Sequence, residues 1–144
     1  MKIPSSELIL NPNGGIYHLN LKPEDIADTI ITVGDQDRVE KVTSFFDEII
    51  FSTQKREFKT QTGYYKGKKL SVISTGIGVD NIDIVMNELD ALANIDFEKR
   101  EVKEQLTSLN IIRIGTSGGI QPDVPIDHFV MGKAGIGFDG LLHY

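Results

Sequence analysis

Thr29-Ile30-Ile31-Thr32-Val33-Gly34-Asp35-Gln36-Asp37-Arg38-Val39 is the stretch that decides the fold. Its first five residues are mostly β-branched and read as a short buried strand. Gly34-Asp35 interrupts them, and Val39, Val42, Phe45 and Phe46 then recur at helical spacing from Asp37 to Phe46. A strand that turns straight into a helix is the building unit of α/β sheets. Two more apolar runs end in the same way. Leu70 to Ser74 leads into Thr75-Gly76-Ile77-Gly78, and Asn110-Ile111-Ile112-Arg113-Ile114 leads into Gly115-Thr116-Ser117-Gly118-Gly119. Ligands of open α/β sheets bind outside the carboxyl ends of the strands, so these loops are where chemistry is expected.

The rest of the chain is arranged around these runs. Met1 to Asn20 reads as a polar opening with a turn-prone Asn11-Pro12-Asn13-Gly14-Gly15, and Pro23-Glu24-Asp25 as the first turn of a short helix. Glu48 to Thr53 alternates weakly. Glu57 to Tyr65 pairs with Leu70 to Ser74 across Lys66-Gly67-Lys68 as a hairpin. Ile82, Val85, Leu89 and Leu92 form one stripe of a helix from about Asp80 to Ala93, and Asp80, Asp83, Glu88 and Asp90 fall to its solvated face. The charged stretch Phe97 to Ser108 reads as a surface helix, and Phe129 to Met131 as the start of a further strand.

With 144 residues the chain is long enough for one domain with a real core. Fifteen Lys and Arg against twenty-one Asp and Glu give a formal net charge of -6, which argues against nucleic acid as a partner. A small anion remains accessible to a few converging arginines. No cysteine is present, so disulfides, thiolate metal sites and cysteine nucleophiles are excluded. The first residues carry no long apolar segment of a signal peptide, and no run approaches the roughly 20 residues that cross a bilayer. A cytoplasmic location is expected.

Arg38 stands one turn into the helix that follows Gly34, where its planar fork could close over an oxyanion; on spacing alone it could equally be a surface arginine. Arg113 near the end of an apolar strand demands an anionic partner, either a ligand or a structural carboxylate. Thr116 and Ser117 add hydroxyl donors. The Gly115–Gly119 loop is no Walker loop, because no Lys-Ser/Thr follows its glycines. Lys55-Arg56 reads as basic residues at a strand start. His18, His128 and His143 lack metal-ligand spacing, and His18 alone reads as a surface histidine. No metal site is expected.

Five motifs nevertheless fall in one order: Gly34-Asp35-Gln36-Asp37-Arg38-Val39, Arg56-Glu57-Phe58, Ser74-Thr75-Gly76-Ile77-Gly78, Arg113 to Gly118, and Asp139-Gly140-Leu141-Leu142-His143. Together they resemble the nucleoside phosphorylase superfamily, in its uridine phosphorylase-like branch, from Tyr17 to Tyr144. The resemblance implies an α/β fold with a mixed central β-sheet flanked by helices, truncated to its first half. Residues 1–144 would be the N-terminal part of a single nucleoside phosphorylase domain. It implies conversion of a nucleoside and phosphate to free base and ribose 1-phosphate. Uridine is the leading substrate, with a purine nucleoside, or a non-catalytic phosphate-binding or assembly chain, as alternatives.

By the same resemblance, Gly34, Arg38, Arg113 and Thr116 bind phosphate, with Arg38 and Arg113 catalytic. Arg56 reaches the phosphate, and His18 the ribose, of a neighbouring subunit. Ser117 and Gly118 border the base. The implied assembly is a homo-oligomer built from dimers with shared sites. Inorganic phosphate is the co-substrate and no cofactor is needed. Relatives can hold a monovalent cation near Glu57 and Ile77, but here Asn81 replaces a serine, so no metal is expected. Gln36 replaces a common proline. The other half of such enzymes carries the Met-Glu ribose motif and most of the base pocket, so the chain by itself is expected to be inactive.

Overall fold

The computed structural model of the chain describes residues 2–138. Residues up to Ile114 form one compact unit, and those from Gly115 onward form a second.

The first unit is a mixed five-stranded sheet with a helix on each face. Its strands are β1 (Thr29–Val33), β2 (Glu48–Lys55), β3 (Phe58–Tyr65), β4 (Lys68–Ser74) and β7 (Asn110–Arg113), in the order β2-β3-β4-β1-β7. β1 lies in the middle of the parallel part, with Val33 beside Ser74 of β4 and Thr32 beside Arg113 of β7. β3 runs antiparallel to both β2 and β4, joined to each by a tight turn. A two-residue pair, β5 (Ile95–Asp96) with β6 (Glu101–Val102), makes a second small sheet.

The period-2 alternation of the strands explains the two layers. Ile30 and Ile73 point to one face and pack with Val85, Leu89 and Leu92 of α2 (Val79–Asn94). Val33 and Val72 point to the other face and pack with Val39 of α1 (Gln36–Thr43). Each fully buried Ile, Leu or Val of this kind contributes about 1.5–3 kcal/mol.

The structure corrects several expectations. The opening is not merely polar, because Leu8, Ile16, Leu19 and Leu21 are all buried in the α2-side core. Pro23–Asp25 is a single 3-10 turn. α1 stops at Thr43 rather than Phe46. The Thr43 hydroxyl is committed to Val39 O and to Gln61 Oε1, and Phe46 N–H turns back to Thr43 O, so Phe45 is left exposed.

The stretch from Phe97 to Ser108 is not a helix. Asp96 accepts from the backbone N–H groups of Glu98 and Lys99 and folds the chain into the turn between β5 and β6. Arg100, with a positive φ of 58°, closes that turn. Its guanidinium donates to Ile3 O, Pro4 O and Leu8 O, stitching the turn to the opening segment. Such long-range capping cannot be read from local periodicity. β7 forms as expected but is exposed along its length, as an edge strand paired only with β1 among the described residues. Phe129 to Met131 forms no strand, since no neighbouring strand accepts its hydrogen bonds among the described residues. The Asp139–His143 motif lies outside the described residues.

Candidate functional site

Parallel pairing places the carboxyl ends of β4, β1 and β7 side by side. Thr75 N–H donates to Val33 O, and Ile114 N–H donates to Thr32 O at 2.9 Å, which holds Thr75 and Ile114 beside the end of β1. The sheet thus brings together two residues that the sequence separates widely. A Cβ at Gly34 would lie 3.4 Å from Arg113 Nη2. A Cβ there would make only ordinary van der Waals contact, so the distance records that Gly34 and the Arg113 guanidinium are neighbours.

Arg113 donates from Nη1 to Ile114 O at 2.9 Å and pairs with no carboxylate among the described residues. Arg113, like the whole of β7, is exposed, so the burial from which an anionic partner was expected is not found, and no structural carboxylate takes it among the described residues. Beside it, Asp35 caps α1 by accepting from Asp37 N–H at 2.9 Å, so the helix begins directly after Gly34. Arg38 is half-buried in the first turn, and its N–H donates to Asp35 O at 3.1 Å. Its guanidinium too takes no acidic partner among the described residues.

Arg56 sits at the tight turn between β2 and β3 with φ 55°, its side chain exposed. This turn lies at the same end of the sheet as the β4 carboxyl terminus, since Ser74 Oγ donates to Glu57 O and accepts from Lys59 N–H. Gln36, at the start of α1, donates to Arg56 O at 2.5 Å and accepts from Gln54 at 3.0 Å. The residue read from sequence only as the replacement of a common proline is thus a tie between the Gly34 loop and the Arg56 turn. Asn81 makes a second tie, donating to Glu57 Oε1 at 3.1 Å and Ile77 O at 3.2 Å.

His18 is not the free surface histidine that its isolation in sequence suggests. Its Nδ1 lies 2.7 Å from Glu88 Oε1, with side chains 29% and 12% exposed. The same carboxylate accepts from His18 N–H and from Leu19 N–H at 2.8 Å. Glu88 is therefore removed from the solvated face of α2 to which the sequence assigned it, while Asp80, Asp83 and Asp90 remain exposed. Of these residues, Glu88 and Gln36 make the long-range contacts that sequence reasoning missed. Both are polar residues at helix positions whose partners lie far along the chain.

Thr116, Ser117 and Gly118 belong to the second unit. They are exposed, lack regular structure, and line an open hollow of about 710 Å³ with Gly115, Ile126 and Phe129. Among the described residues no three His, Asp or Glu side chains are placed to hold a metal ion, and no helix is long and apolar enough to cross a membrane.

Comparison with known proteins bears on this arrangement. The family model described as "Phosphorylase superfamily" matches residues 28–143. A uridine phosphorylase of Thermococcus kodakarensis is 35% identical over 139 residues, covering 96% of this chain and 45% of that protein. A DeoD-type purine nucleoside phosphorylase of Listeria welshimeri is 36% identical over 118 residues, covering 81% of this chain and 45% of its own length. Among solved structures, a Trypanosoma brucei nucleoside phosphorylase showing uridine phosphorylase activity matches with a TM-score of 0.75 and 39% identity, covering 82% of this chain and 41% of that one. The chain thus spans about 45% of the length of the curated relatives it matches.

Proposed function

The chain belongs to the phosphorylase superfamily, and from that premise we propose that it carries the phosphate side of a nucleoside phosphorylase active site, with uridine as the leading substrate. The observation that carries the reading is Arg113. It lies against Gly34 at the ends of parallel strands and, among the described residues, has no carboxylate partner.

Cleavage of a glycosidic bond builds positive charge on the ribose as the base departs. Inorganic phosphate is the incoming nucleophile and also stabilises that charge. The arginines hold the phosphate in line, and their pre-set positions lower the barrier without a covalent intermediate. In this reading Gly34, Arg38, Arg113 and Thr116 hold phosphate, and Ser117 and Gly118 border the base. Arg56 and His18 act across a dimer interface, on the phosphate and the ribose respectively. No cofactor or metal takes part. Purine phosphorolysis is the second reading, favoured by the similarity to the Listeria protein.

The test uses a hybrid in which Tyr144 is joined to the complementary part of the Thermococcus relative. It should release uracil from uridine only when phosphate is present. Arg113→Ala should cut the rate by orders of magnitude, as expected for a group that stabilises transition-state charge. Release of base at the same rate without phosphate would sink the reading. The 144-residue chain alone should show no turnover, because phosphate beside an unpositioned sugar forfeits an orientation effect of about 7–11 kcal/mol. Arg56→Ala and Arg113→Ala hybrids, each inactive, should regain activity when mixed. Proven mixed dimers without activity would show that Arg56 serves no neighbouring site.

A further inference from the structure

The contact between His18 and Glu88 goes further than placing a side chain. His18 stands in a turn that is gripped from two sides. From α2, the Glu88 carboxylate takes the backbone N–H of His18 at 2.9 Å, that of Leu19 at 2.8 Å, and ring Nδ1 at 2.7 Å. From the end of β2, the Lys55 ammonium donates to Tyr17 O and to Asn11 Oδ1, and lies 4.3 Å from the centroid of the Tyr17 ring. The Tyr17 ring meets the imidazole edge to face at 4.8 Å, and the adjacent Leu19 is wholly buried. The ring has little freedom to turn. Its Nε2 takes no hydrogen bond among the described residues.

A carboxylate only accepts hydrogen bonds, so Nδ1 must carry the proton. A neutral imidazole has one donor and one acceptor nitrogen, and the partner of one nitrogen sets the role of the other. We propose that Glu88 is the positioning residue of His18: it holds the ring in the Nδ1–H tautomer, so that Nε2 acts as a hydrogen-bond acceptor for a sugar hydroxyl. The assignment of His18 to a sugar rests on the phosphorylase reading, whereas the tautomer does not. Without Glu88 the ring would be free to present an N–H at Nε2, which would donate to a hydroxyl oxygen instead of accepting the hydroxyl proton.

The experiment is long-range proton–nitrogen NMR on the 144-residue chain labelled with nitrogen-15 in histidine, at a pH where the rings are neutral. His18→Gln identifies the His18 signals among the three histidines. The wild-type ring should show a protonated Nδ1 and a bare Nε2. Glu88→Gln, whose amide oxygen still accepts, should keep that pattern, and Glu88→Ala should lose it while the amide spectrum of the sheet stays in place. In the hybrid completed with the Thermococcus part, titration with uridine should move the Nε2 signal of wild type and move it at least tenfold less, at equal uridine, in Glu88→Ala.

A protonated Nε2 in the wild-type chain would overturn the proposal and leave the phosphate chemistry of Arg113 untouched. A bare Nε2 that does not respond to saturating uridine in the hybrid would overturn the hydroxyl assignment. The phosphate dependence of uracil release is measured separately, so a failed phosphorylase reading is distinguishable from a failed tautomer.

Discussion

Residues 110–113 and 129–131 make an instructive pair. Asn110-Ile111-Ile112-Arg113 and Phe129-Val130-Met131 are both short apolar runs beside glycine-rich loops, and both read as strands. The first becomes β7 because β1 lies alongside and its backbone groups find partners at every step from Thr29 to Thr32. The second remains irregular and exposed, with Phe129, Val130 and Met131 open to solvent. Their difference lies in the neighbour and not in the side chains. An extended segment gains a ladder only when another strand supplies it.

The same contrast holds between the two units, and it can be broken by measurement. The largest expected effect is in the core of the first. Leu89→Ala removes a fully buried side chain from the α2 face and should cost about 2–5 kcal/mol in urea unfolding. Phe129→Ala, on an exposed side chain, should shift stability by less than about 0.5 kcal/mol. Equal shifts would show that the second unit is packed after all.

A smaller effect separates two loop glycines. Gly76 has φ +69°, and a Cβ there would meet the Asn81 and Glu57 side chains at 2.8–2.9 Å, so Gly76→Ala should cost about 1–3 kcal/mol. Gly118 has open space around it, so Gly118→Ala should leave the unfolding midpoint unchanged. A midpoint unmoved by Gly76→Ala would mean that the Glu57–Asn81 tie is not formed in solution.

The smallest effect is a pH dependence seated at the β5–β6 turn. The backbone N–H of Lys99, with further help from its ammonium, holds the Asp96 carboxyl below the ordinary carboxylate value. A lowered folded-state value means that the turn is fully supported above the ordinary carboxylate range and loses that support as pH falls through the lowered value. Protection of the Lys99 amide, taken relative to intrinsic exchange at each pH, should therefore fall on acidification in wild type. In Asp96→Asn it should lose that pH dependence, and an unchanged profile in the variant would place the titration elsewhere.

Much of this was legible along the chain. β-branched runs that break at glycine gave β1, β4 and β7, helical spacing gave α1 and α2, and the ordered motifs led to the family. The reason is that strand and helix formation, and the close approach of backbone at glycine, depend on residues near in sequence. What only the tertiary structure decided are contacts with distant partners. Arg113 comes to Gly34 through β1–β7 pairing, Gln36 to Arg56 across a turn, Arg100 to the carbonyls of the opening segment, and Glu88 to His18 across 70 residues. Each of these neighbours takes its place only once the sheet and α2 are assembled, so no local pattern could announce it.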